Sequence, residues 1–173
     1  MRKVLIAALC VILFTTALSA KPQLVKRITP GPRGTVILFV ASMCPCMDAH
    51  RAMIRTLTEE LQGQGINFVC VFSNAGETRD LAENMFRQIG WDMPYILDSR
   101  GTLAEKYGAT NTPQAIVLDQ FQQMVFRGPI DDSSKNLGRI TQPYLKNALA
   151  DLMAGQSVQV AEVAPTGCWI VSR

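Results

Sequence analysis

The 173-residue sequence contains a single histidine, His50, and that scarcity removes whole classes of chemistry. No site needing two imidazoles from one chain can be built, and the HExxH zinc proteases are excluded. Charge is sparse too. Charged side chains make up 18% of the chain, and the formal net charge of +3 is too weak and too evenly spread for a nucleic-acid-binding stripe. There is no glycine-rich phosphate loop, no Ser/His/Asp arrangement, no internal repeat and no low-complexity segment. What the chain does have is 48% hydrophobic residues, with 12 Gly and 9 Pro. That composition suits one packed globular domain and excludes a wholly disordered, collagen-like or disulfide-scaffold chain. Five cysteines are the other unusual count, so cysteine is the group to carry chemistry at neutral pH.

Residues 1–20 read as a signal peptide. Arg2 and Lys3 precede the uninterrupted apolar run Val4 to Phe14, and Leu18-Ser19-Ala20 fits a cleavage site with Leu18 as the tolerated larger residue. The run is shorter than the roughly 20 residues of a spanning helix, which sets a retained anchor as the rival reading. Nothing later in the chain is long and apolar enough to span. Cys10 lies inside the apolar run rather than at the end of a lipobox, which argues against lipidation. Cleavage after Ala20 leaves 153 residues and removes two of the 17 basic groups, so the charge falls from +3 to +1. A near-neutral surface offers no electrostatic reason for a nucleic-acid or membrane partner. Cleavage also removes Cys10, leaving Cys44, Cys46, Cys70 and Cys168 in a periplasmic or secreted setting where disulfides are permitted.

The remaining chain divides into an irregular lead-in over 21–34, a domain over 35–157 and a tail over 158–173. The lead-in carries three prolines and two glycines without periodicity. Thr35 to Ala41 is a β-branched apolar run, which predicts a strand buried on both faces. Pro45 to Leu61 has apolar residues at helical spacing with proline in the first turn, and Gly63-Gln64-Gly65 ends it. Ile66 to Phe72 predicts a second buried strand, Glu77 to Ile89 a helix, Tyr95 to Asp98 a strand and Thr102 to Tyr107 a short helix. Gln114 to Leu118 and Gln123 to Arg127 flank a turn as a hairpin, and Tyr144 to Met153 forms the last helix. Two βα units feeding a sheet that finishes in an antiparallel hairpin give a mixed α/β layered fold.

Cys44 and Cys46 fall where a buried strand turns into a helix. A thiolate there meets unpaired backbone N–H groups and the positive end of the helix dipole, which lower its pKa. Asp48 opposes the effect, while His50 and Arg51 would assist if they point toward the sulfur. The blander alternative is two buried, inert cysteines. A metal reading also stands. Cys46 and His50, four residues apart, share one helix face. With Cys44 and Cys168 they form a possible ligand set, and Met43 and Met47 add thioether sulfur, favouring Cu(I) or Zn(II). Taken alone, His50 reads as a partly exposed helix residue. Cys70 reads as a small buried hydrophobe, and Met53, Met85 and Met124 as core residues. Trp91 and Trp169 are expected to be buried, with a groove wall as the alternative, and Asp131 and Asp132 to cap a loop.

The stretch Phe39-Val40-Ala41-Ser42-Met43-Cys44-Pro45 resembles the F-x-A-x-W-C-P-P-C segment of periplasmic thiol–disulfide oxidoreductases of the thioredoxin superfamily. Gly108 to Pro113 resembles that family's G-x-x-x-T-P loop, whose proline is cis and packs against the reactive sulfur. Ala115 to Asp119, Arg127 to Asp132 and Pro165-Thr166-Gly167-Cys168-Trp169-Ile170 are similar to an exported redoxin subgroup whose tail ends in P-x-G-C-x-I. The resemblance spans roughly residues 33–171. It implies a thioredoxin-like three-layer sandwich, a substrate groove shaped by Pro113, and a tail that returns Cys168 to the site. The chain departs from the family's C-x-x-C, because position 47 is Met47 and the second thiol has moved to Cys46. A Cys44–Cys46 disulfide would be small and strained, hence oxidising.

The expectation is therefore thiol–disulfide exchange through Cys44, with Cys168 the favoured resolving partner and Cys46 close behind. Its partners would be a protein thiol or disulfide substrate and a separate redox partner, with no cofactor. Peroxiredoxins resemble this chain in fold but place Thr or Ser three residues before the reactive cysteine. Here that position holds Ala41, or Met43 relative to Cys46, which argues against peroxidase activity. Copper-delivery proteins of the Sco type resemble the architecture too, with copper or zinc on Cys44, Cys46, His50 and Cys168 as the alternative. Their histidine is distant from the cysteine pair, whereas His50 is local to it. A redox-inactive scaffold stapled by a Cys44–Cys168 bond is the third possibility.

Overall fold

Strand β1 (Gly34–Val40) is buried at every position, so it needs apolar neighbours on both faces. It finds strand β2 (Ile66–Phe72) parallel on one side and strand β5 (Gln114–Asp119) antiparallel on the other. Strand β3 (Tyr95–Leu97) extends the parallel half and strand β6 (Met124–Gly128) closes the antiparallel hairpin, giving the order β3-β2-β1-β5-β6. The computed structural model describes residues 22–133 and 140–172. The signal peptide expected over 1–20 lies outside the described residues.

Alternation along the strands sorts their side chains into two cores. Val36, Leu38, Val40, Phe68, Cys70, Phe72, Ala115 and Val117 face one layer. That layer is made by helices α1 (Pro45–Leu61), α2 (Arg79–Ile89) and α4 (Tyr144–Met153), through residues such as Ile54, Phe86 and Leu149. Ile37, Phe39, Val69, Val71, Ile116 and Leu118 face the other layer, covered by helix α3 (Thr102–Tyr107), Val25 and Ile28 of the lead-in, and Ile170 of the tail. The result is a thioredoxin-like three-layer sandwich. A separate two-stranded sheet pairs β4 (Asn111–Thr112) with β7 (Cys168–Trp169).

Local chemistry moves some expected boundaries. Helix α2 begins at Arg79 rather than Glu77 because Thr78 is its N-cap, accepting from the Leu81 N–H at 3.3 Å. Glu77 is thereby freed to accept from the Ser42 N–H and hydroxyl at 2.9 and 2.5 Å. After α1 the chain makes one 3₁₀ turn, Gln62–Gln64, before Gly65 reverses it at φ +92°, a conformation that suits glycine. The lead-in is not wholly irregular, since Gln23 and Val25 exchange backbone hydrogen bonds with Tyr95 and extend the β3 edge. Met124 is 43% exposed and Trp169 73% exposed, so neither is the core residue expected of it. Both stand on short strands with an open face, β6 at the sheet edge and β7 outside the main sheet. Trp91, Met85 and Cys70 are buried.

Helix α3 has Gly101 at its N-cap and so no capping side chain. Asp98 supplies the missing acceptor. Its Oδ2 takes hydrogen bonds from the Leu103 and Ala104 N–H groups at 3.0 and 3.1 Å and from the Ser73 hydroxyl at 2.8 Å. Asp98→Ala should lower unfolding stability by about 2–3 kcal/mol, read from urea titrations, since three donors around a buried site lose one charged acceptor.

Candidate functional site

Cys44 is the N-cap of α1, in extended conformation (φ −85°, ψ 115°), with Pro45 as the first helical residue. Its backbone N–H turns back to Ala41 O at 3.2 Å, which ends the strand and aims the thiol across the helix start. The Cys44 thiol donates to the backbone oxygen of Thr112 at 3.3 Å. Thr112 precedes Pro113 through a cis peptide bond. Pro113 is buried where Cys46, His50, Ile130 and Gly167 converge.

The same Thr112 pairs with Cys168 in the β4–β7 ladder, and this pairing delivers the tail thiol. Cys168 Sγ lies 3.1 Å from Cys44 Sγ and 3.9 Å from Cys46 Sγ. Among the described residues, the three sulfurs form one cluster within 4.8 Å. Gly167 makes the approach possible. Its φ is +102°, and a Cβ there would sit 2.4 Å from Thr112 O. Further bonds pin the tail: Asn111 Nδ2 donates to Gly167 O at 3.3 Å, Ile170 N–H to Thr110 O at 2.8 Å, and Val171 N–H to Asn74 Oδ1 at 2.8 Å.

The sulfurs are electrostatically unequal. Burial works against a Cys44 thiolate, but it is outweighed by hydrogen bonds from the Thr112 side chain, Cys168, and the backbone N–H groups of Cys46 and Met47. The Cys44 pKa is held below the ordinary thiol value. The buried Thr112 hydroxyl has no hydrogen-bond partner while Cys44 is a thiol, and a thiolate there supplies the acceptor it lacks. Cys168 moves the other way. Its hydrogen bond to Cys44, and after that burial, push its pKa up to about 12. Cys70, fully buried in β2 beside Met93 Sδ at 3.2 Å, is pushed up by burial and takes no part.

His50 corrects its expected exposure. It is 3% exposed, with Nδ1 2.8 Å from the Cys46 carbonyl oxygen and Nε2 3.1 Å from Oδ1 of the fully buried Asp131. Both ring nitrogens are engaged away from the sulfurs, so the structure does not bring His50 into the cluster with Cys44, Cys46 and Cys168. Arg51 pairs with Asp48 and does not assist the thiolate. Asp131 does cap its loop, accepting from the Ser133 N–H at 2.8 Å, and Asp132 accepts from the Thr141 N–H at 3.0 Å. The His50–Asp131 pair itself had no signal in the sequence, because 81 residues separate its members.

Beside Cys44 and Cys168 a groove of about 290 Å³ opens, walled by Met43, Leu81 and Trp169. Met43 is 81% exposed and Trp169 73%. A larger cavity of about 440 Å³, near Arg33, Phe121 and Leu152, contains no cysteine or histidine and lies apart from this chemistry.

Two substitutions read the geometry directly. Gly167→Ala should lift the tail from β4 and slow Cys44–Cys168 disulfide formation by about 10²-fold, measured by free-thiol titration under limiting diamide. Iodoacetamide modification of Cys44 should fall as pH drops through a midpoint below the usual thiol range. Thr112→Val should move that midpoint up, because the thiolate loses a donor.

The family described as a domain of unknown function (DUF6436) matches residues 14–170. No curated protein matches the chain. Among solved structures, an uncharacterized conserved protein from Geobacillus kaustophilus is 26% identical with a TM-score of 0.76, covering 83% of this chain and 79% of that one. A hypothetical protein from Sinorhizobium meliloti 1021 is 23% identical with a TM-score of 0.74, covering 86% and 97%. A secreted Mycobacterium tuberculosis disulfide oxidoreductase, 12% identical with a TM-score of 0.52 over 72% and 83%, shares the fold. With the match running through both the cysteine turn and the tail, the chain belongs to the DUF6436 family and builds it on a thioredoxin-like fold.

Proposed function

We propose that the chain carries out thiol–disulfide exchange, with Cys44 as the attacking thiolate and Cys168 as the resolving thiol. The observation that carries this reading is the 3.1 Å approach of two sulfurs with opposite pKa shifts. The Cys44 thiolate attacks one sulfur of a substrate disulfide, the substrate S–S bond breaks, and one substrate thiolate leaves. Cys168 then loses its proton to solvent and attacks Cys44 Sγ. This forms the Cys44–Cys168 bond and releases the second substrate thiolate. The substrate is reduced and the protein oxidised by the same two electrons, and the reverse sequence oxidises a substrate dithiol.

The site times its own second step. The hydrogen bond to Cys44 is the largest cause of the raised Cys168 pKa. Once Cys44 is in a mixed disulfide that interaction with its anion is lost, so Cys168 ionises more easily at the moment it is needed. Exposed Met43 and Trp169 on the groove wall suit a protein substrate with apolar residues flanking its cysteine. Pro113 shapes the buried floor beneath the cluster.

Export belongs to the same proposal. The basic start and apolar run of residues 1–20 support it, as does the secreted oxidoreductase that shares the fold. No described helix is long and apolar enough to cross a membrane. Copper or zinc on Cys44, Cys46 and Cys168 is the second reading, favoured by the convergence of three thiols. The 3.1 Å Cys44–Cys168 separation supports exchange instead, because two sulfurs about 2.3 Å from a tetrahedral zinc stand about 3.8 Å apart, a spacing met by Cys46 and Cys168 at 3.9 Å but not by Cys44 and Cys168.

Mixed-disulfide trapping with an oxidised substrate protein tests the assignment. Cys168→Ser should accumulate the adduct and Cys44→Ser should abolish it. Undiminished trapping by Cys44→Ser would refute the nucleophile, and stoichiometric copper or zinc retained through mild reduction would put the metal reading first.

A further inference from the structure

The exchange step uses two thiols and leaves Cys46 without a task, although it is buried and its Sγ stands 3.9 Å from Cys168. We propose that Cys46 is a second resolving thiol that takes the disulfide over from Cys44, so that the oxidised protein rests as Cys46–Cys168 with Cys44 free. This inference rests on the exchange reading and extends it.

Three thiols can form one disulfide and must leave one sulfur over. Cys168 lies within reach of both helix cysteines, at 3.1 and 3.9 Å, so two of the possible bonds share it. The third, Cys44–Cys46, closes a small ring across one residue and is strained. Distance favours Cys44–Cys168 as the first bond formed. The surrounding donors favour its replacement. Cys44 is the N-cap of α1, so its sulfur stands at the positive end of the helix, which stabilises an anion there only when Cys44 is outside a disulfide. Cys44 is therefore a good leaving group, and the isomer that releases it recovers that stabilisation.

The step balances without another reactant. Cys46 gives its proton to solvent and its sulfur attacks Cys168 Sγ. The Cys44–Cys168 bond breaks, the Cys46–Cys168 bond forms, and Cys44 departs with the electron pair. One disulfide replaces another, so no net oxidation occurs. The consequence is a separation of tasks within a single site. The oxidising equivalent is stored on the inner pair, while the groove-facing nucleophile is available again.

Disulfide mapping over time decides the matter. The reduced full chain is oxidised with one equivalent of diamide, quenched in acid at short and long intervals, blocked with N-ethylmaleimide and digested. Fragmentation at the Cys44–Pro45 bond then assigns each modification. Cys44–Cys168 should appear first and give way to Cys46–Cys168, with the maleimide on Cys44 in most molecules. In Cys46→Ser the Cys44–Cys168 bond should persist, and oxidised Cys44 should lose its fast reaction with iodoacetamide. A wild-type resting disulfide that includes Cys44 overturns the relay and leaves the exchange reading standing. Absence of any disulfide among the three overturns the exchange reading itself.

Discussion

Two backbone pairings, Asn111 with Trp169 and Thr112 with Cys168, are the constraint on which the site depends. Cys44 and Cys168 are 124 residues apart, and meeting by chance would carry the full entropic cost of closing that loop. The short ladder meets that cost with hydrogen bonds rather than with a core. Most of the tail is exposed, and its apolar contacts with the two cores are Val158, Val163 and Cys168 on one side and Ile170 on the other. Gly167 is the permissive residue, because only a side-chain hydrogen fits against the Thr112 carbonyl. The residue that receives the tail is also the one that presents its carbonyl and hydroxyl to Cys44. Tail docking and thiolate stabilisation are thus two consequences of one position in the fold.

The cysteines show how environment assigns chemistry to a side chain. Cys44 meets helix N–H groups, a hydroxyl and a neighbouring thiol, and becomes the acidic sulfur. Cys168 faces that sulfur and is held protonated. Cys70, with only apolar surroundings and the Met93 thioether, is an inert part of the core. Residue type selected the candidates, and the donors around each sulfur set its reactivity.

Beneath the cluster, His50 and Asp131 tie the first turn of α1 to the loop after β6. The imidazole is bracketed by two acceptors, the Cys46 carbonyl and the Asp131 carboxylate, so its orientation is defined at both ends. A buried pair of this kind is costly to break and orients what it touches. It gives the backbone at Cys46 a rigid footing opposite Cys168.

Much of the fold was legible along the chain, because strands buried on both faces and helices with one apolar stripe have distinct periods. The β1 and β2 runs, the span Pro45–Leu61 and the order ending in a hairpin follow from that periodicity. Cys44 at a strand-to-helix turn, with Pro45 behind it, was equally visible because helix capping is local. The unpartnered Thr112 hydroxyl, the burial of His50 against Asp131, the exposure of Trp169 and the distances among three sulfurs were not. Each of these depends on residues tens of positions apart, and nothing in a local pattern encodes which distant group will satisfy a buried donor. The sequence by itself determined the layered α/β fold and the helix-start cysteine. Only the tertiary structure decided which sulfur stands opposite it, because that rests on a two-residue ladder and a glycine whose meaning appears once Thr112 is in place.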